Sequence, residues 1–403
     1  MFYVFDSGIG GIAVLNELKK ALPKTNLVYI CDEKDVRYGV LSRLQLEEKL
    51  TKLLNRVSDN DQLFIACNTL SVVFHQLNLE LKNVYTMLDL YQKIPDTYNY
   101  SLLATEYTVN SNYLNKAYNF KSQINGENLA NEIENFQINL IKKRINNINE
   151  SNIILGCTHY EIFQDYFPMN TISLSSYVHQ IEYRCKSDEI GEITFSGPKS
   201  MAEQFHKFYA ITNGFIIATT NQGKLAEIKN KFPLAVSLNQ INYYKDVDEP
   251  FDTLEENAYT KLIQYSKDIK FNLIVDDSGL FVNQLDGEPG VISSRYSGNN
   301  ATDESNVAQL INNIDFTKDT SAYFKTVIYA RHQNTTYKSQ GIIKGHITKF
   351  PIGKNGFGYS PIFIPDKSNK THAQMNNEEK MQFSHRKLAL EDLANQIKDK
   401  NAS

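Results

Sequence analysis

The sequence predicts an α/β protein made of two consecutive α/β domains, residues 1–213 and 214–403. Three observations carry this. At 403 residues the chain exceeds the size at which one hydrophobic core stops growing, so two domains of roughly 200 residues each are expected. Short apolar runs alternate with segments of helical period across residues 1–213, the pattern of parallel strands joined by crossover helices. The alternation then starts afresh at FIIATTNQGK, residues 215–224. There four apolar or β-favouring residues run into a polar turn with Gly223 and Lys224, and residues 225–232 follow with helical spacing.

In the first domain, residues 1–5 read as a buried strand, and FDSGIGG (5–11) as a turn feeding a helix over 12–22. Residues 27–31 form the next strand, followed by DVRYG (35–39) and an amphipathic helix over 42–57. A third strand, 63–66, ends on Cys67, Asn68 and Thr69. Open parallel sheets place ligands at the carboxyl ends of their strands, which gathers Asp6, Tyr38 and Cys67 on one rim. The arrangement recurs: strand 101–104 ends at Thr105, and strand 152–155 ends in GCTHY (156–160). A turn at Ser196, Gly197 and Pro198 precedes a helix over 199–209 that closes the domain. No long flexible linker follows, so the domains are expected to have limited freedom.

The second domain opens with the loop at 219–224, whose backbone N–H groups and Lys224 suit an anion at a helix start. Taken alone, such a loop is equally an ordinary strand-to-helix turn. FDTLEENA (251–258) follows Asp246, Asp248 and Glu249, and LIVDDSGL (273–280) reads as an apolar strand stopping at two adjacent acids. Neighbours on a strand point to opposite faces, so Asp276 and Asp277 are expected to act differently. Carboxylates beside a phosphate loop point to Mg²⁺, which takes oxygen ligands. Gly353, Gly356 and Gly358 lack the context of a dinucleotide fingerprint and read as a tight loop bringing Phe357 and Tyr359 against a planar ligand. His385 and Arg386 offer donors to a purine edge or phosphate.

Hydrophobic content of 41% and charged content of 22% are those of a soluble globular protein. No apolar run has the length of a membrane span, and residues 1–5 lead into Asp6 without a signal core, so a cytoplasmic location is expected. A net charge of −4 and a pI near 6.1 argue against duplex nucleic acid or a membrane surface as partners. All four cysteines, Cys31, Cys67, Cys157 and Cys185, lie in the first half without CxxC spacing, and are expected to be free thiols. Two of them sit at strand ends. Facing thiols suit racemisation of an amino acid, where one face of Cα loses a proton to a base and the other regains it from an acid. Asp6 and His159 are placed to tune each thiol.

FDSGIGG, ACNTLS (66–71), LATEYTV (103–109) and LGCTHY (155–160), in that order, resemble the cofactor-independent glutamate racemases of the aspartate/glutamate racemase superfamily over residues 1–213. The resemblance implies two α/β subdomains with the site in the cleft between them, and no cofactor. Cys67 and Cys157 would be the acid/base pair, with Asp6 and His159 assisting. Ser7, Tyr38, Gly39, Asn68, Thr69, Thr105 and Thr158, with Asp6 and His159, would hold the glutamate. Three features depart from the pattern: the Asn-rich stretch between Asn110 and Asn146 shows no Pro-containing, glutamate-bearing segment, Ser175 stands where the family often has Asp, and Asp89 where it often has Glu-Pro. Two readings stay open, a working racemase with trimmed loops and a silent scaffold or glutamate-binding module.

ATTNQGK, ENA, DDSGL, PGVISSRYSG, GFGYSPIF and SHR resemble the non-canonical purine nucleoside triphosphate pyrophosphatases, the inosine/xanthosine triphosphatase family, over residues 215–395. That resemblance implies cleavage between the α- and β-phosphates of ITP, dITP or XTP with Mg²⁺. Asp277 would be general base and metal ligand, with Asp248 or Glu249 as the other ligand. Thr219, Thr220, Asn221, Gln222, Gly223, Lys224, Ser278, Lys380, His385 and Arg386 would bind the nucleotide, with Phe357, Gly358, Tyr359 and Ser360 beside the base. Ser360 stands where the family usually has Asp, which bears on base preference. Both families commonly form homodimers, so self-association is expected, with small molecules as the other partners.

Overall fold

The computed structural model describes residues 1–32, 36–168, 170–183 and 191–402, which divide into two compact units at Tyr209/Ala210. Asp35 and Cys185 lie outside the described residues. Among the described residues no helix is long and apolar enough to cross a membrane.

The first unit holds two parallel sheets. One has the strand order Val84–Thr86, Gln62–Ile65, Phe2–Asp6, Leu27–Cys31, Ile193–Phe195, and the other Ser122–Asn125, Ser101–Ala104, Asn152–Gly156, Asn170–Ser173. In the first sheet Phe5 is in register with Ile65, so Asp6 and Cys67 leave neighbouring strands at the same carboxyl edge. In the second, Ala104 is in register with Gly156, which does the same for Thr105 and Cys157. Each thiol is therefore the residue before a helix: Cys67 N-caps Asn68–Gln76 and Cys157 N-caps Thr158–Ile162. The N-terminal end of a helix carries partial positive charge. The second sheet-flanking helix, Arg43–Leu54, starts after Ser42, whose side chain forms a capping box with Gln45, a motif worth about 1 kcal/mol. Its buried Leu46, Leu50 and Leu53 pack on Phe5, Ile30, Leu63 and Ile65, which fixes the rim carrying Asp6 and Cys67.

The second unit is built on a six-stranded mixed sheet, ordered Val236–Ser237, Ile216–Ile217, Leu273–Val282, Ser321–His332, Thr335–Ile347, Phe363–Pro365. The first three strands are parallel and the rest antiparallel. The strand Leu273–Val282 does not stop at its two acids. It runs ten residues, because Ser321–His332 pairs along its whole length, with Asp276 opposite Ile328 and Asp277 opposite Val327. That ladder satisfies the backbone and buries the flanking residues, a non-local effect that the local composition cannot signal. Helix His385–Ala402 packs Ala389, Leu390 and Leu393 onto Ile274 and Ile328. Gly341 lets the strand approach the start of this helix, since a Cβ there would lie 1.9 Å from the His385 carbonyl oxygen. The helix closing the first half, expected over 199–209, runs Lys199–Asn213.

Candidate active sites

Every residue that the racemase resemblance assigns lines one cavity of about 990 Å³ in the first unit. Asp6 connects its two sides. Its Oδ1 accepts from Ser7 N at 2.6 Å and from Ser7 Oγ at 3.3 Å, and its Oδ2 accepts from Thr158 Oγ1 at 2.7 Å. The Cys67 thiol donates to Ser7 Oγ at 3.6 Å, and burial, with the Asp6 charge adding, pushes it up to about 12. Cys157 Sγ lies 3.8 Å from His159 Nδ1, and His159 Nε2 lies 2.8 Å from Glu134 Oε1. Burial pulls His159 down, but the hydrogen bonds to Cys157 and Glu134 outweigh it and hold the imidazole well above its ordinary value. The cavity thus sets a protonated thiol beside a carboxylate on one side and a thiol beside an imidazolium on the other. Cys67 and Cys157 are both buried free thiols. The Asn68 side-chain carbonyl accepts from Tyr91 OH at 3.2 Å and its buried Nδ2 donor has no partner among the described residues, while Thr69 and Thr105 share a hydroxyl contact at 2.9 Å. The Tyr38 hydroxyl is committed to Asp32 Oδ2 at 2.9 Å, which also takes Lys49 Nζ at 2.5 Å.

Glu134 was not among the expected residues. It sits at the end of helix Leu129–Glu134, inside the Asn-rich stretch that carries no recognisable motif, and only the packing of that helix brings it to His159.

A second cavity, of about 1720 Å³, belongs to the second unit. The two acids of Leu273–Val282 do part to different surroundings. Asp276 takes Lys224 Nζ at 3.0 Å and Arg386 Nε at 3.4 Å, and these cations, against burial, hold its carboxyl well below the usual range. Arg386 is only 1% exposed, and it also reaches Glu227 Oε1 at 3.0 Å and Ser278 Oγ at 3.1 Å. Asp277 faces the cavity. Its Oδ1 accepts from Ser278 N at 2.9 Å, and its Oδ2 is buried without a partner among the described residues. Burial pushes Asp277 up to about 6, opposed by the Lys261 ammonium and reinforced by Glu249. Glu249 pairs with Lys261 and lies 3.6 Å from Arg295, and it lines the cavity, whereas Asp248 is exposed and does not. Among the described residues no group of three or more His, Cys, Asp or Glu is arranged to hold a metal ion.

The remaining expectations divide. Asn221, Gly223, Lys224, Ser278, Phe357, Gly358, Tyr359, Ser360, Lys380, His385 and Arg386 line the cavity, and Thr219, Thr220 and Gln222 do not. Asn221 spends its side chain on capping helix Gln222–Lys231 through Lys224 N at 3.0 Å. Gly223 admits a ring: a Cβ there would lie 2.2 Å from Phe357, which is 38% exposed. Tyr359, expected against a planar ligand, is 4% exposed, packed in the core, and donates to the Ser293 carbonyl at 2.9 Å. Its hydroxyl anchors the loop, which leaves Phe357 as the accessible ring.

The Ham1 family model matches residues 215–396. A dITP/XTP pyrophosphatase of Thermoanaerobacter sp. (strain X514) is 42% identical over 189 residues, 45% of this chain and 95% of that protein. The solved Ham1 protein of Staphylococcus aureus is 39% identical, with a TM-score of 0.43 over 46% of this chain and 98% of its own. A glutamate racemase from Francisella tularensis, solved with D-glutamate, matches at 22% identity and a TM-score of 0.44 over 52% of this chain and 92% of its own. Through residues 215–396, with a relative of 42% identity matched over nearly its full length, this chain belongs to the Ham1 family.

Proposed function

We propose that the chain joins two enzymes, a cofactor-independent glutamate racemase in the first unit and a purine nucleoside triphosphate pyrophosphatase acting on dITP, ITP or XTP in the second. The racemase reading is carried by one observation: two buried thiols from corresponding strand ends line the same cavity, with Asp6 hydrogen-bonded toward both. One thiol takes the Cα proton as thiolate while the other donates a proton to the opposite face, and the roles reverse for the other enantiomer. Asn68 Nδ2 is available to hold a polar group of the substrate, and the Thr69 and Thr105 hydroxyls, bonded to each other, can turn toward it. In ²H₂O, wild-type protein should exchange the Cα proton of glutamate, and Cys67→Ala and Cys157→Ala should not. Absence of exchange by the wild type sinks the reading.

The pyrophosphatase reading is carried by Asp277, a buried carboxylate with an unpartnered oxygen facing the cavity. Its raised pKa suits a general base working near neutral pH: it takes a proton from the attacking water, and the bond between the α- and β-phosphates breaks to give monophosphate and pyrophosphate. The orphaned Asp277 oxygen and the neighbouring Glu249 fit a hard divalent cation, and these two residues would hold Mg²⁺. When bound, the ion neutralises triphosphate charge. Lys224 and Arg386 add positive charge at the cavity wall. Pyrophosphate release from dITP should require divalent cation and Asp277, and full activity in Asp277→Ala removes the assignment. Homodimerisation and a cytoplasmic location complete the proposal, checked by light scattering and by fractionation.

A further inference from the structure

His372 belongs to none of the motifs above, yet it lines the second cavity with Phe324, Ser360, Lys380 and His385. It opens the short turn His372–Gln374, which is tied to the glycine-rich loop: Ala373 N donates to Ser360 O, and Asn355 N donates to Ala373 O, each at 3.0 Å. The His372 ring lies parallel to Phe324, centroids 5.9 Å apart at 9°, and His385 stacks on the same ring at 5.0 Å and 11°. Stacking of this kind fixes the ring planes. His372 Nε2 is nevertheless buried with no partner among the described residues. A buried polar atom left unpaired is costly, and a ligand that pairs it recovers that cost.

The protonation of this ring is defined by its surroundings. Burial, with the Lys380 ammonium adding, pulls His372 down to about 4, so it is neutral at physiological pH. The Phe383 backbone acts on the ring so as to favour its protonated form, the effect of a carbonyl facing a ring N–H donor. With Nε2 unpartnered, that donor is Nδ1–H, and Nε2 is left as a lone-pair acceptor. Ser360, in the same wall, spends its hydroxyl proton on the Phe357 carbonyl at 2.7 Å.

We propose that His372 reads the base in this cavity, its Nε2 accepting the N1–H of a 6-oxopurine. The assignment rests on the nucleotide pyrophosphatase reading. Adenine carries a lone pair at N1, so two acceptors would face each other and the base is rejected. Guanine carries N1–H, so His372 separates hypoxanthine from adenine and does not separate it from guanine.

The test compares kcat/KM for dITP, dGTP and dATP in full-length wild type, His372→Phe, which keeps an aromatic ring on Phe324, and His372→Gln, which restores a polar acceptor. The dITP/dATP ratio should fall about tenfold in His372→Phe, the dITP/dGTP ratio should hold, and His372→Gln should recover part of the loss. In the wild type, the ¹⁵Nε2 resonance of His372 should shift on dITP addition, a readout independent of the variants' folding. An unchanged dITP/dATP ratio in an active His372→Phe protein, or a stationary resonance in a wild type that binds dITP, overturns the assignment alone. A wild type that neither binds nor hydrolyses dITP overturns the pyrophosphatase reading and this assignment with it.

Discussion

Glu134 Oε1 lies 2.8 Å from His159 Nε2, and the other nitrogen of the same ring lies 3.8 Å from the Cys157 thiol. The carboxylate therefore acts on the thiol through the imidazole. Glu134→Gln removes the charge and keeps the shape, so the His159 pKa should fall. The sign follows from linkage: a His raised in the folded state stabilises below its unfolded pKa, and that contribution is lost as pH rises through the folded value. Wild type should therefore lose more stability than Glu134→Gln on going from pH 6 to alkaline pH. Proton exchange from the Cys157 face should fall about 100-fold. A histidine titration by NMR that is the same in both proteins refutes the coupling.

Glu161 supplies a second pH signature. Its Oε2 accepts from the Ser173 hydroxyl and from Ser175 N at 2.8 Å, so a carboxylate reaches Ser175 from helix Thr158–Ile162 although position 175 has no acid of its own. Burial pushes Glu161 up to about 7, partly offset by hydrogen bonds from both serines. Here the folded state binds the proton more tightly than the unfolded state, so stability falls as pH rises between about 4.5 and 7. Urea unfolding of the wild type should show a loss of about 2 kcal/mol between pH 5 and pH 8 from this group, and Glu161→Gln should lack it. Equal pH dependence in both proteins would remove Glu161 as its source.

Residues whose position follows from a strand end were legible in the sequence. Cys67, Cys157 and Thr105 each sit just beyond an apolar run, and the rule that parallel strands gather ligands at their carboxyl edges places all three on the cavity rim. Residues that reach a site through tertiary packing were not. Glu134, Glu161 and His372 lie in segments whose local pattern says only helix or turn, and their roles depend on which element packs beside them. The continuation of Leu273–Val282 past its acids depends likewise on a partner strand far along the chain. The burial of Tyr359 depends on a hydrogen bond to Ser293 that spacing cannot disclose.

Asp277 should show a conflict between stability and function. A shift from 3.8 to about 6 means that the ionised carboxylate costs the metal-free fold about 3 kcal/mol near neutrality. Asp277→Asn should therefore unfold at a higher temperature than wild type at pH 8 without divalent cation, and the gap should narrow as pH falls below 6 and the wild-type carboxyl protonates. Hydrolysis of dITP should be lost in the same variant. A lower melting temperature for Asp277→Asn at pH 8 would mean that burial is not what raises the group.

Lys224 and Asp276 form a pair 3.0 Å apart, and substitutions at its two ends should differ. In Lys224→Ala, Asp276 keeps Arg386 at 3.4 Å, and Arg386 keeps Glu227, so each buried charge retains a partner although one net negative charge is left over, and the loss of stability should be the smaller of the two. In Asp276→Ala, Lys224 loses its carboxylate and Arg386, 1% exposed, retains only Glu227 and Ser278. Removing one partner of a buried network typically costs about 3–5 kcal/mol, so Asp276→Ala should be far the less stable in urea. Function should follow the opposite order of interest. Lys224→Ala should weaken dITP turnover through loss of a cation at the cavity wall, while Cα exchange of glutamate stays at the wild-type rate. Lys224→Ala leaves the Asp276–Arg386 and Arg386–Glu227 pairs in place, so a simultaneous loss of glutamate exchange in a variant that still unfolds cooperatively in urea would show that the two activities are linked.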